Sequence, residues 1–493
     1  MNDNSSAVES LATIGHRAGL FDRTVKKLRK AWSGIKNGRG PFFQLPAPSL
    51  PAKQLIRLRE QIRECLEARG GEVSARTRAA HLGETYLSLN RKGRLRFLTF
   101  LARDFGVERA GVDQAIETLR EVGDDAAQRI RAENQLRDAL IPARVKLLTQ
   151  FNALPEGIHF LVDMRAELLS IKRKNADIRA LEQDLKRLLT SWFDVGFLEL
   201  RRITWDSPAS LLEKLIGYEA VHSISGWDDL KNRLGSDRRV FAFFHPRMPD
   251  EPLIFVQVAL VNGIADNIQD LLDKSAATIT PESADTAIFY SISNAQSGLA
   301  GISFGDFLIK KVVNLLRDEF PGLRQYATLS PIPGFRKWLD ELLELAPSCG
   351  TFASDSVHEK TSTSVPMTPA VKDSLESIFN TSDGSSIQVD DMAHRQLLLG
   401  LCAHYLIEVK RRPGVARDPV ANFHLSNGAR IERLNWRGNS SDVGLKQSAG
   451  IMVNYLYQLD AIERNHEAYH GEGAVQVSTS IRSLQRDSLN VVT

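Results

Sequence analysis

TAIFYSISNAQSGLAGISFGDFLIKKVV, residues 286–313, decides how the chain is read. Its opening, TAIFYSIS, is apolar, β-branched and aromatic, and reads as a strand. A turn crowded with small residues follows: Ser297, Gly298, Ala300, Gly301, Ser303 and Gly305. From residue 302 to 320 the apolar positions Ile302, Leu308, Ile309, Val312, Val313 and Leu316 share one broad face, which predicts a helix. A glycine-rich turn opening a helix lets backbone N–H groups approach a phosphate, and the helix dipole adds to the attraction. The turn lacks the Gly-Lys-Ser/Thr ending of a Walker A loop. Gly298-x-x-Gly301 also lacks the first glycine of the dinucleotide fingerprint. A packing turn and a pyrophosphate site both fit it.

Further strands are expected upstream at VFAFFHP (240–246) and LIFVQVALV (253–261). Downstream, ATLSPIPGF (327–335) reads as a short strand entering a Pro-rich loop. The Ser/Thr-rich stretch 350–372 reads as a mobile insertion. LLLGLCAHYLIEVKR (397–411) reads as a helix. VANFHLSNGARIERLNW (420–436) reads as a hairpin with Asn427-Gly428 at its turn, which places His424 on a strand. A last helix is expected at 443–461, and a loose tail after 470. This half is therefore α+β, a mixed sheet with helices on its faces.

Residues 50–190 have a different character. LIRLREQIRECLEARG (55–70), RLRFLTFLARDFG (94–106), AIETLREVGDDAAQRIRAENQLRDALI (115–141) and AELLSIKRKNADIRALEQDLKRLLTSWF (166–193) repeat apolar residues every three or four positions. Gly70-Gly71, Pro142 and Pro155 punctuate them. The expectation is an N-terminal all-α bundle over 1–190, serving oligomerisation or scaffolding, then an α+β domain over 191–493.

Composition narrows the function classes. The 493 residues are 43% hydrophobic and 25% charged, an ordinary globular balance too long for one core. Apolar runs stay far below the ~18–20 residues of a membrane span. MNDNSSAVES has no basic head or apolar core, so no leader is expected. Cys65, Cys349 and Cys402 lie far apart and offer neither zinc spacing nor a disulfide framework, which suits a reducing cytoplasm. Net charge is +3, yet residues 1–190 carry 34 Lys+Arg against 23 Asp+Glu and the remainder 29 against 37. The basic excess suits a solvated helical face, an anionic cofactor or an acidic neighbour. No nucleic-acid motif accompanies it.

Two constellations offer chemistry. HEAYH (466–470) matches the H-E-x-x-H zinc pattern. However, Gln476 stands where the extended motif needs its third ligand, and Gly471 and Gly473 would end the helix at once, so no metal site is assigned. Ser330, before Pro331-Ile332-Pro333-Gly334, and His424 form a possible Ser/His pair that spacing alone cannot bring together. No G-x-S-x-G elbow is present, which disfavours an α/β-hydrolase.

The stretches YEAVH (218–222), EPLIFVQVAL (251–260), YSISNAQSGLAGISFGDFLIKKVV (290–313), LSPIPGF (329–335), NFHLSNGA (422–429) and GIMVNYLY (450–457) together resemble the malonyl-CoA decarboxylase family. The resemblance runs through about residue 460. It implies a helical N-terminal domain used in homo-oligomer contacts (dimer or tetramer) and a catalytic domain like the GNAT acyltransferases, which bind CoA at a splayed mixed sheet. It implies malonyl-CoA as substrate and acetyl-CoA and CO2 as products, with no metal, no separate cofactor, no nucleic acid and no membrane. Carried over residue by residue, it makes Ser330 and His424 the catalytic pair, with Tyr457 beside them. It makes Ser291 and the run Ala300, Gly301, Ile302, Ser303, Phe304, Gly305 and Asp306 the CoA-binding segment. Animal members of the family carry Glu where this chain has Ser303, a role left vacant or taken by Asp306. They can also end in Ser-Lys-Leu, whereas this chain ends Asn-Val-Val-Thr. On the same fold, acyl transfer from CoA to an amine and non-catalytic malonyl-CoA sensing are the competing expectations.

Overall fold

The computed structural model describes residues 26–32, 45–67, 71–171, 175–302, 307–345, 369–379 and 392–492. The expected insertion at 350–372 lies almost wholly outside these residues, as do Ser303, Phe304, Gly305, Asp306 and Cys349.

The N-terminal half is helical, as its periodicity requires. Among the described residues, a helical stretch at 26–32 is followed in order by α1 (Ala52–Leu66), α2 (Gly71–Ser88), α3 (Arg91–Asp104), α4 (Arg109–Glu121), α5 (Ala126–Ala139), α6 (Ala143–Asn152), α7 (Gly157–Ser170) and α8 (Ala176–Trp192). Caps set several starts: Asn90 accepts from the Gly93 amide, Asp125 from Ala127 and Gln128, and Asn175 from Asp177 and Ile178. The pair α4–α5 buries only Ala115 and Ala132, whereas α7 is buried along most of its length. Trp32, Tyr86, Phe151 and Phe160 make edge-to-face ring contacts at the bundle's centre.

The second half is a seven-stranded sheet. Its strands are β1 (Glu199–Ile203), β2 (Arg238–His245), β3 (Met248–Val261), β4 (Thr286–Asn294), β5 (Gln325–Thr328), β8 (Arg430–Asn435) and β9 (Met452–Leu456). A two-stranded ribbon of β6 (Lys410–Arg412) and β7 (Val415–Ala416) stands apart. The sheet order is β1-β2-β3-β4-β5-β9-β8. Only β4–β5 is parallel among the described pairs, joined by a crossover through α12 (Phe307–Glu319). This is a mixed sheet, as expected for this half.

Both sheet faces are covered, which explains the unbroken apolar runs of β2 and β3. On β2, Phe241 and Phe243 face a core shared with the helical bundle, while Val240, Ala242 and Phe244 pack under α9 (Ala209–Tyr218) and α10 (Trp227–Arg233). The main core runs without a break from Trp32 and Phe97 to Phe289, Val313 and Tyr457. The bundle is therefore packed onto the sheet rather than tethered beside it.

Three expectations are corrected. The stretch 420–436 is not a hairpin. Pro419–Ser426 is a helix, α16, and only Arg430–Asn435 is a strand. Asp418 caps the helix by accepting from the amides of Val420 and Ala421, and Pro419 occupies its first position. Asn427-Gly428 ends the helix instead of turning a hairpin. The Gly428 amide donates to Leu425 O (3.0 Å) and the Ala429 amide to His424 O (3.1 Å), a Schellman closure with Gly428 at φ +79°. Second, 443–461 divides into a short helix, α17 (Asp442–Ser448), and strand β9, separated by Ala449 and Gly450 in left-handed conformations. Third, the chain after 470 does not trail away. HEAYH lies on α18 (Ile462–Glu472), which ends at Gly473 (φ +68°), and a further helix, α19 (Thr479–Val492), packs on α15 (Met392–Glu408) and β8. No helix among the described residues is long and apolar enough to cross a membrane.

Candidate active site

The site lies where β5 and β9 part. Their ladder pairs only Ala327 with Leu456, and then resumes as an isolated bridge between Ser330 and Val453. Side chains fill the gap between. Asn454 Nδ2 donates to Thr328 O (2.6 Å), and the Tyr455 amide donates to Thr328 Oγ1 (3.1 Å). The Ser330 amide and carbonyl both bond to Val453, so its backbone is fixed immediately before the Pro-rich turn.

The α16 helix carries His424 into this gap. Asp418 holds the helix start and also accepts from the Gly334 amide (3.2 Å), tying α16 to the turn after Ser330. Burial pushes the Asp418 carboxyl up, against three backbone N–H donors that pull it down. His424 stacks on Tyr455, with ring centroids 4.5 Å apart. Its Nε2 lies 3.1 Å from Ser330 Oγ, and its Nδ1 lies 2.8 Å from the Tyr457 hydroxyl. Ser330 Oγ donates in turn to Thr328 Oγ1 (2.9 Å). A four-membered chain results: Tyr457, His424, Ser330, Thr328. All four are buried, His424 with 3% of its surface exposed. Burial drives the imidazole pKa down to about 3, so the ring is neutral at neutral pH and carries one N–H. The same burial pushes the Tyr457 and Tyr455 hydroxyls well above the ordinary tyrosine range.

Ser330 and His424 open onto a cavity of about 720 Å³, while Tyr457 sits behind the imidazole and does not line it. Phe289, Ile254, Ile302 and Leu308 give it an apolar wall, with Asn422 at one side and the exposed Arg411 and Arg412 at its mouth. A register shift between β3 and β4 at Gln257/Val258 leaves Tyr290 without a partner on β3 and re-aims this edge of the sheet. Tyr290 OH donates to Gln257 Oε1 (3.0 Å), holding the bulge from behind.

The residues expected to hold CoA divide. Gly301 and Ile302 line the cavity, and Ala300 and Gly301 line a second cavity on the bundle side. Ser291 does neither. Its hydroxyl is taken up by the Glu219 carboxylate (2.8 and 2.9 Å), which also accepts from Ser293 Oγ and the Val221 and His222 amides. Ser291 is thus part of the support under the bulge and not of the cavity wall. In HEAYH, His466 and His470 share a helical face, but His466 Nδ1 lies 2.6 Å from the Ser426 carbonyl oxygen. Among the described residues no three potential ligands come together.

Sequence reasoning missed Thr328, Asp418 and Tyr455. Asp418-Pro419 before an apolar run is a helix-start signal and was legible. Thr328 and Tyr455 had no local signal, because their roles arise only where two strands separate.

A substrate-sized, largely apolar cavity with a buried Ser–His pair facing it has the form of an enzyme active site. Comparison with known proteins narrows the class to a carboxy-lyase. Residues 196–492 match the C-terminal domain of malonyl-CoA decarboxylase and residues 105–193 its N-terminal domain. The mitochondrial malonyl-CoA decarboxylase of Mus musculus is 40% identical over 403 residues, 79% of this chain and 81% of that one. Crystal structures of malonyl-CoA decarboxylases are similar too. That from Rhodopseudomonas palustris (40% identity, TM-score 0.79) covers 89% of this chain and 100% of its own. That from Agrobacterium vitis (40% identity, TM-score 0.76) covers 87% and 99%. The chain belongs to the malonyl-CoA decarboxylase family and is a decarboxylase.

Proposed function

We propose that this enzyme converts malonyl-CoA to acetyl-CoA and CO2, with Ser330 and His424 as the groups that meet the substrate. The observation carrying this reading is the hydrogen-bonded chain Tyr457–His424–Ser330–Thr328, with its two middle members facing the cavity.

The substrate supplies its own electron sink. When the C2–carboxylate bond breaks, CO2 leaves and the electron pair enters the thioester carbonyl as an enolate. The reaction as proposed therefore uses no resident cofactor and no metal. What remains for the protein is to hold the carboxylate perpendicular to the thioester plane, stabilise the oxyanion and protonate C2. Ser330 Oγ holds the thioester oxygen by turning its single O–H from Thr328 Oγ1 to the substrate, and an oxyanion donor of this kind supplies about 3–4 kcal/mol. His424 delivers the proton from Nε2. A neutral imidazole N–H suffices, because the thioester enolate carbon is a stronger base than the imidazolate that the transfer leaves on His424. The Tyr457 hydroxyl, donating to Nδ1, keeps the hydrogen on the Nε2 side that faces the substrate. Solvent replaces the spent proton after product leaves.

The test is to incubate purified enzyme with malonyl-CoA in D2O, chelator present, and follow CO2 and acetyl-CoA by mass spectrometry. Equal amounts of both, with one deuterium in the acetyl methyl, are expected. His424→Ala should lower kcat by about 100- to 10,000-fold while CoA still binds. Near-normal turnover in that variant removes His424 from the chemistry. Acceptor-dependent release of free CoA would indicate acyl transfer, and tight binding without turnover would indicate a sensor.

A further inference from the structure

A second cavity, about 420 Å³, opens on the opposite side of the small-residue loop, against the helical half. Gly301 lines both cavities, so the two meet at this loop. The wall facing it is the α8 surface bearing Arg179, Gln183 and Lys186, spaced at i, i+4 and i+7 on one helical face. Lys186 Nζ stands over the loop, 3.5 Å from where a Cβ on Gly301 would lie. The loop is seated firmly there. A Cβ on Gly298 would fall 1.9 Å from Val162 O on α7, and Arg165, 1% exposed, donates to Gly298 O and to Ala300 O (2.9 Å).

Charge is the second observation. Arg165 is matched by Glu182 (2.8 Å). Arg179 and Lys186 have no carboxylate partner among the described residues, so the cavity keeps an excess of two positive charges over its single acid. A cavity lined by one sign of charge raises the local concentration of the opposite ion, so this unmatched basic wall suits a bound anion. This wall also belongs to the half of the chain that carries the basic excess.

We infer that the helical half forms part of the coenzyme site, with Lys186 and Arg179 of α8 receiving the phosphates of the CoA moiety across the Gly298–Gly301 loop from the reacting end. This rests on the proposed use of a CoA thioester. It assigns the bundle a direct part in substrate binding, in addition to any contact between subunits.

The experiment compares malonyl-CoA with malonyl-pantetheine, which has the same reacting group and no nucleotide phosphates. In Lys186→Ala and Arg179→Ala, KM for malonyl-CoA should rise about 5- to 20-fold, the effect of losing one charge-assisted hydrogen bond. Lys186→Arg should restore most of it. For malonyl-pantetheine, kcat/KM should move less than twofold. Unchanged KM for malonyl-CoA in both variants overturns the inference. Equal loss on both substrates also overturns it, since that would mark a structural effect on the loop. Failure of wild-type enzyme to decarboxylate either substrate would instead remove the underlying functional reading. In that event direct CoA titration still decides, because weaker binding of CoA but not pantetheine by the variants supports the phosphate wall.

Discussion

Replacing Tyr457 with Phe isolates the part of the chain that never touches substrate. The change removes one oxygen, whose hydroxyl lies 2.8 Å from His424 Nδ1 in a site where both residues are buried. Ring packing survives, since Tyr457 meets Phe289 and His424 through its ring. Among the described residues the imidazole Nδ1 has no other partner than this hydroxyl, and leaving a buried polar atom unpaired costs about 1–3 kcal/mol. If that energy is what holds the hydrogen on Nε2, its loss lowers kcat by about 5- to 150-fold. KM for malonyl-CoA should hold within twofold, because Tyr457 is outside the cavity lining. Steady-state decarboxylation measured alongside denaturant unfolding tests both halves of the argument. Unchanged kcat, with stability reduced by the expected amount, would show that the tyrosine stabilises the core without directing the imidazole. A KM rise matching the kcat loss would show that the cavity itself had shifted.

The pH dependence follows from the same burial. His424 takes up its proton near pH 3 when folded and near its ordinary value of 6.5 when unfolded, so the unfolded chain binds the proton first as pH falls. Stability should therefore be intact above about pH 6.5 and fall by about 1.4 kcal/mol per pH unit below it on this residue's account. His222, pushed down to about 4 by burial and by Arg233, adds a similar slope, so the difference between wild type and His424→Gln in urea midpoints from pH 7 to 5 is the clean measure. A parallel pair of curves would mean His424 is not buried neutral. Asp418→Ala removes the α16 cap and the bond to Gly334. It should cost about 1–2 kcal/mol in stability and reduce kcat through the lost placement of His424, with Asp418→Asn much milder. Gly428→Ala combines a left-handed backbone (φ +79°) with a Cβ 2.2 Å from Ile462 O, and a loss of thermal stability exceeding that of Asp418→Ala is expected.

The sequence made some parts of this molecule legible because their causes are local. Strands β2 to β4 are buried on both faces, so their apolar runs were unmistakable, and the helical periods of the N-terminal half were equally plain. The error at 420–436 has a definite physical origin. Asn-Gly serves both a tight hairpin turn and a helix end, because both need a residue at positive φ. The Asp418-Pro419 pair upstream settles which it is, since a capping carboxylate followed by proline starts a helix. Strand β9 was concealed for a different reason. MVNYL is short and follows α17 through two left-handed residues, so a helical window spread across the boundary.

The consequence of that one substitution of helix for strand reaches the chemistry. A histidine on a hairpin strand would stand out from one face of the sheet, beside the ladder hydrogen bonds and not in a gap between strands. On α16 it arrives from outside the sheet, enters the gap between β5 and β9, and meets Ser330 from the open side. The gap exists because Thr328 and Asn454 satisfy with side chains the backbone groups that a continuous ladder would have paired. Thr328 thus serves two ends at once: its hydroxyl accepts from the Tyr455 amide, which keeps the strands apart, and from Ser330, which aims that hydroxyl. Thr328→Val, nearly identical in shape, should therefore impair kcat through Ser330 and also loosen the strand separation. Ser330→Ala should impair kcat alone, so a larger fall in unfolding midpoint for Thr328→Val than for Ser330→Ala is the expected sign of the double role. Equal midpoints would reduce Thr328 to a hydrogen-bond partner of the serine.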